Sequence, residues 1–219
     1  MAAVTAPDIL NPTLSVGKDM VKQSYCNLEA VPPAPVDVTI EAEDDSVASV
    51  SIYEGDSGSK SITFTDIKTT GYLYFWVQGR KLGTTHITIS TPGYTPHVMT
   101  VTVDPSGFVV SSSTSISVPS TSPGTAITIK PARLNPTTFR YAAYGKLRGG
   151  ISDVPVEVVS SDWSVGTIST SPLMFLANAS SMVATLVPKN VGTCTISVVA
   201  PAGFSIPSEH GEVAVTVTP

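Results

Sequence analysis

Six short segments occur twice in this chain, in the same order. Leu14-Ser15-Val16 returns as Ile116-Ser117-Val118, and Pro35-Val36-Asp37-Val38 returns as Pro155-Val156-Glu157-Val158. The run from Asp45 to Ser51 returns from Trp163 to Ser169, and the run from Gly83 to Ile89 returns from Gly192 to Val198. Gly93-Tyr94 returns as Gly203-Phe204, and Val101 to Pro105 as Val215 to Pro219. Any one match is weak, but six in one order argue for two copies of a single folding unit. The shift between copies drifts from 102 to 120 residues. Loops of different length between fixed elements produce such a drift.

The copies divide near Asp104-Pro105-Ser106-Gly107, which predicts one domain over residues 1–105 and a second over 106–219. The second carries an inserted stretch at about 131–150, from Pro131 to Gly150. A four-residue junction of turn type leaves little slack, so the two domains are expected end to end. The second copy closes at Pro219, where the first hands over. A longer parent with further copies is therefore expected, and those copies would be this segment's first partners.

Within each copy the apolar residues alternate with period two, the mark of half-buried strands. Val36, Val38 and Ile40 share one face against Asp37, Thr39 and Glu41. Thr85, Ile87 and Ile89 oppose Thr84, His86 and Thr88, and Met99, Val101 and Val103 oppose Val98, Thr100 and Thr102. The second copy alternates likewise over 126–129, 154–159, 182–187, 195–199 and 213–217. Charged residues are only 13% of the chain, and its 18 prolines and 16 glycines punctuate the apolar runs. No segment keeps an apolar period near that of a helix. About seven short strands per copy predict an all-β chain of two tandem immunoglobulin-like β-sandwich domains.

The order Pro-Val-acidic-Val-Thr, Asp-Ser-Val-Ala-Ser-Val, Gly-Thr-Thr-x-Ile-Thr-Ile, Gly-Tyr and Val-Thr-Val resembles the bacterial Ig-like (Big) tandem repeats of invasin/intimin-type and other large surface proteins. The resemblance covers 10–105 well and 108–219 more loosely. It implies an extracellular, cell-surface setting and a non-catalytic spacer or cell-adhesion role in a larger bacterial surface or secreted protein. A host or matrix protein or a glycan would be the outside partner. The family pattern carries no catalytic residue, so none is transferred. The alternative expectation is an accessory carbohydrate-binding module of a secreted polysaccharide-active enzyme.

Several partners are disfavoured by composition. The net charge is −5 with 12 basic residues, and no Lys/Arg cluster is present to displace counterions from a phosphate backbone, so no nucleic acid is expected. No stretch approaches the roughly 20 apolar residues of a spanning helix, so no membrane insertion is expected in this segment. Met1-Ala2-Ala3-Val4 lacks a basic region followed by an apolar core, so no signal peptide is expected at this end. Cys26 and Cys194 are too few for a disulfide framework and are read as small buried hydrophobes.

The chemistry-bearing candidates are few. Gly55-Asp56-Ser57-Gly58 copies the nucleophile motif of trypsin-like proteases, but there the histidine base precedes the serine in the chain, and His86, His97 and His210 all follow Ser57. A turn between strands accounts for the motif. The three histidines have no metal-site spacing. Calcium is the one cation considered, on Glu41, Glu43, Asp44 and Asp45 or on Asp104, but the dense spacing of a dedicated loop is missing, so no cofactor is expected. Asn178-Ala179-Ser180 fits a glycosylation acceptor. The most informative segment is Gly71-Tyr72-Leu73-Tyr74-Phe75-Trp76-Val77. On a strand, Tyr72, Tyr74 and Trp76 point one way and Leu73, Phe75 and Val77 the other, so both faces are apolar. A sandwich strand has one wet face. Tyr72, Tyr74 and Trp76 are therefore the candidate ligand or protein contact.

Overall fold

Strand sequences with one apolar face can bury it only against a second sheet, and both halves of the chain do so. The computed structural model describes residues 6–219, and the chain start from Met1 to Val4 lies outside them. The described chain is all strand and loop, with no helix. It divides into two compact units. One runs through Asp104 and takes in Arg148–Gly150; the other comprises Pro105–Leu147 and Ile151–Pro219.

The first unit holds strands β1 (Ile9–Leu10), β2 (Leu14–Gly17), β3 (Met20–Leu28), β4 (Val36–Ala42), β5 (Ala48–Ser51), β6 (Ser61–Ile67), β7 (Leu73–Gly79), β8 (Gly83–Ser90) and β9 (His97–Asp104). One sheet has the order β1-β3-β7-β5 and the other β2-β9-β8-β4-β6. The alternation read from sequence is the alternation buried: Val38, Ile40 and Ala42 of β4 and Ile87 and Ile89 of β8 are sealed, with Phe75 and Val77 of β7 facing them. Arg148–Gly150 join this unit through Arg148, whose Nε donates to Asp19 Oδ1 at 3.0 Å and whose backbone N donates to Asp19 O at 3.0 Å.

The second unit holds β10 (Ser106–Val110), β11 (Ser115–Pro119), β12 (Thr125–Leu134), β13 (Tyr141–Tyr144), β14 (Lys146–Leu147), β15 (Val154–Val156), β16 (Val158–Ser160), β17 (Gly166–Ile168), β18 (Leu173–Phe175), β19 (Met182–Pro188), β20 (Gly192–Val198) and β21 (Glu212–Thr218). Its sheets follow β10-β12-β19-β17 and β11-β21-β20-β16, with β15 and β18 as a separate pair. Placed beside the first unit, this is the same order. β10-β12-β19-β17 repeats β1-β3-β7-β5, and β11-β21-β20-β16 repeats β2-β9-β8-β4. The remaining pair repeats β4 with β6, because β15 and β16 are one edge interrupted at Glu157.

In each unit the early strand β2 or β11 lies parallel to the final strand β9 or β21. Apart from the isolated parallel bridge of Asp8 with Thr95, the other pairings within each unit are antiparallel, and each unit closes a separate apolar cluster between its sheets. These are immunoglobulin-like sandwiches.

The stretch 131–150 begins as the end of β12 rather than as a loop. Past Pro131 the alternation changes phase: Ala132 and Leu134 lie on the opposite face from Ile127 and Ile129, sealed in a small separate cluster with Val109. Asn135 then turns the chain, its Oδ1 accepting from Thr137 N at 3.0 Å and Thr138 N at 2.9 Å. β13 runs back antiparallel on β12.

The corner between β8 and β9 shows why Gly93-Tyr94 and Gly203-Phe204 recur. Gly93 has φ 85° and Gly203 φ 87°, and each is the third residue of a four-residue turn closed by Tyr94 N to Thr91 O (3.4 Å) or Phe204 N to Pro201 O (3.1 Å). A positive φ at that position defines a type II turn and selects glycine. The aromatic that follows folds back to the unit's core. Tyr94 is 8% exposed and its hydroxyl donates to Ala30 O at 2.7 Å. Phe204 lies 4.9 Å from Phe108, which lies 4.8 Å from Phe175.

Candidate functional site

The alternation of β7 drives Leu73, Phe75 and Val77 toward the core, with Phe75 and Val77 fully sealed, and leaves Tyr74 on the outer face. Its neighbour β3 alternates in step. Ser24, Cys26 and Leu28 point inward and Tyr25 points out, directly opposite Tyr74. Tyr72, just before β7, completes a cluster of three rings. The Tyr25 and Tyr72 centroids are 5.0 Å apart at 81°, Tyr25 and Tyr74 are 6.3 Å apart at 63°, and Tyr72 and Tyr74 are 6.0 Å apart at 43°. All three rings remain accessible: Tyr25 is 38%, Tyr72 60% and Tyr74 48% exposed.

Trp76 stands apart from this cluster. It lies opposite Gln23 on one side and Ser51 on the other, is half-buried, and makes no ring contact with the tyrosines. The structure thus joins two of the three aromatics expected on this face and adds Tyr25 from the adjacent strand. The segment from Met20 to Leu28 alternates through a serine and a cysteine, a weak apolar signal. No sequence spacing ties Tyr25 to Tyr74.

Tyr25 and Tyr72 form one side of an open groove of about 730 Å³, and Tyr74 packs against both rings from beside it. Its other side is β1 with the turn before β9, contributing Asp8, Asn11, Thr95 and His97, and Asn27 lies between. Backbone pairing fixes this wall: Asp8 bridges Thr95, and Thr95 N donates to Pro7 O at 2.9 Å. Asn11 Nδ2 donates to the Tyr25 carbonyl, tying the wall to the ring-bearing strand. Cys26 is fully buried beside Tyr25, and burial pushes its thiol up to about 12. It stays protonated and packs as an apolar group, and Cys194 is likewise a buried free cysteine.

The other candidates are drawn apart by the fold. Gly55-Asp56-Ser57-Gly58 is the crossing from β5 to β6. The sealed side chain of Gln78 pins it, accepting from Gly58 N at 3.1 Å and donating to Asp56 O at 2.5 Å and Ser51 Oγ at 3.2 Å. Arg80 adds bonds to Gly58 O (2.6 Å) and Ser49 Oγ (2.8 Å). Ser57 is exposed and has no histidine beside it. His86 bonds Glu43 at 2.9 Å, His97 lines the tyrosine groove, and His210 lies edge-on to Tyr141 at 6.2 Å.

The acidic run is equally dispersed. Glu41 meets Lys60 at 3.6 Å, Glu43 meets His86, and Asp44 turns onto its own loop. Among the described residues no three His, Cys, Asp or Glu side chains gather as a metal site. The acceptor-type Asn178 takes a left-handed φ of 63°.

Asp44 and Asp162 are equivalent, and both cap a turn. Asp44 Oδ1 accepts from Ser46 N (2.9 Å) and Ser46 Oγ (2.6 Å), while Asp162 Oδ1 accepts from Ser164 N (2.8 Å) and Ser164 Oγ (2.6 Å). The serine hydroxyl and then its backbone N–H hold each carboxylate below its ordinary range.

No protein-family model matches the chain, and no curated protein matches it. Among solved structures it is similar to domains 5–6 of the S-layer protein SbsC, at 19% identity over 98% of this chain and 97% of that one, with a TM-score of 0.35. It is also similar to SbsC domains 4 and 5, at 14% identity over 83% and 77% with a TM-score of 0.38. A third likeness is to the ectodomain of the teleost fish polymeric Ig receptor, at 14% identity over 97% and 98% with a TM-score of 0.38. The fold assignment rests on the strand order of each unit.

Proposed function

We propose that this chain is a non-catalytic structural segment of a larger bacterial surface protein, two copies of one immunoglobulin-like unit serving as spacer or adhesion module. The observation that carries this reading is the repeated strand order, with an independent core closed in each copy. A repeat whose interior is filled by side chains builds length and surface rather than a reaction chamber. The nucleophile-like Ser57 lies on the β5–β6 crossing, while His86 bonds Glu43, His97 lines the tyrosine groove and His210 lies against Tyr141. The sequence resemblance to Big repeats supports the extracellular setting, and neighbouring repeats of the parent would be the partners. The test is immunolabelling of intact producing cells with antibody to this chain. Label on unpermeabilised cells is expected; signal only after permeabilisation overturns the reading.

A second reading, an accessory carbohydrate-binding module of a secreted enzyme, is favoured by the three exposed tyrosines beside a groove. The two readings separate on whether a catalytic domain is joined to this segment in the full-length protein.

A further inference from the structure

We propose that the groove lined by Tyr25 and Tyr72, with Tyr74 packed against both, binds a single neutral glycan chain. The site is independent of the structural role and stands if that role fails. A sugar ring is amphipathic, with an apolar C–H face and a rim of hydroxyls. The groove offers both complements: two aromatic rings on one side, supported by a third, and amide, carboxylate and hydroxyl groups on the other.

The rings are accessible yet already packed on one another, and Asn11 fixes the backbone of Tyr25. Tyrosines held this way lose little freedom when a ligand arrives. The Asp8 carboxylate and the Asn27 amide make no side-chain hydrogen bond among the described residues, so both are available for hydroxyls.

The geometry also selects the form of the ligand. A flat crystalline polysaccharide needs coplanar rings, whereas these are inclined to one another by 43° to 81°. Such a cradle follows a single twisted chain. Charge selects further: the lining contains Asp8 and no lysine or arginine. A uronate, sulfated or phosphorylated chain would bring its anion to the Asp8 carboxylate with no lysine or arginine in the lining to receive it. Neutral hexose or pentose polymers fit.

The test is native affinity electrophoresis of the full chain in gels containing glucomannan, galactomannan, arabinoxylan or mixed-linkage β-glucan. Polygalacturonate gels and a pull-down on crystalline cellulose run in parallel. The expected result is retardation by at least one neutral soluble polymer and none by polygalacturonate or crystalline cellulose. Tyr72→Ala should weaken binding about tenfold or more, as loss of a central aromatic contact does, and Tyr74→Ala should weaken it less, because it removes a supporting ring. Tyr53→Ala, an exposed tyrosine elsewhere in the unit, should leave binding unchanged. Shifts of the Tyr72 and Tyr74 ring resonances on titration with oligosaccharide from the retarding polymer check the site without any variant. The proposal is overturned by no retardation on any neutral polymer, by retention on the anionic or crystalline polymer alone, by binding that survives the Tyr72→Ala, Tyr74→Ala double substitution, or by unmoved ring resonances.

Discussion

Gly93 and Gly203 sit at positive φ, 85° and 87°, where any side chain brings its Cβ against the following carbonyl. A Cβ at Gly93 would meet nothing within 4 Å, so the cost of Gly93→Ala is conformational alone. Gly93→Ala and Gly203→Ala are each expected to destabilise the chain by about 1–2 kcal/mol in urea unfolding. The equivalent carboxylates Asp44 and Asp162 carry a pH dependence of known sign. Their pKa values are lowered in the folded chain, so their contribution is present above the ordinary value of 3.8 and is lost as pH falls through the lowered values. The melting midpoint of the Asp44→Asn, Asp162→Asn chain should fall less steeply below pH ~4 than that of the parent, because asparagine keeps the acceptor without the titration. The recurrence of Gly-Tyr as Gly-Phe was legible in sequence because a turn's φ requirement is written in one residue. The capping aspartates were not, since Asp44 falls outside the matched segment and an Asx turn leaves no periodic trace.

At the level of strands and turns, legibility follows the length scale of the interaction. Alternation along one strand is local, so β4, β8 and β9 could be read residue by residue, whereas β7, apolar on both faces, could not be oriented by alternation alone. Pairing between strands is not local. Tyr25 meets Tyr74 only because β3 and β7 are neighbours in that register, and Trp76, in phase with Tyr74 along its own strand, falls opposite Gln23 instead. The Gly55–Gly58 crossing makes the same point. Its apparent catalytic spelling is a turn, and the residue that shapes it, Gln78, lies two strands later. Gln78→Ala removes three hydrogen bonds from a sealed site and is expected to cost about 2–4 kcal/mol by thermal or urea unfolding. Ser57→Ala, at an exposed position, should change stability by less than about 0.5 kcal/mol. A fluorophosphonate probe should leave Ser57 unlabelled, as read by mass spectrometry.

For the whole molecule, the separateness of the two cores sets how damage spreads. The cluster around Phe75 and the cluster around Phe175 share no residue. Phe175→Ala removes a fully buried ring that contacts Phe108 and should cost its unit about 3–5 kcal/mol. Hydrogen exchange should then accelerate in β12, β19 and β20 while β3, β7 and β8 keep their protection. Phe75→Ala should give the reverse pattern. The parallel pairing of β2 with β9 and of β11 with β21 has a mechanical consequence. In each unit an early strand and the final strand run side by side, so tension applied at the two ends draws them past each other lengthwise. Their cross-links then strain together in shear instead of opening one by one like a zipper. A unit built this way yields late and abruptly under load, with β1 and β10, paired to the opposite sheet, the first to peel.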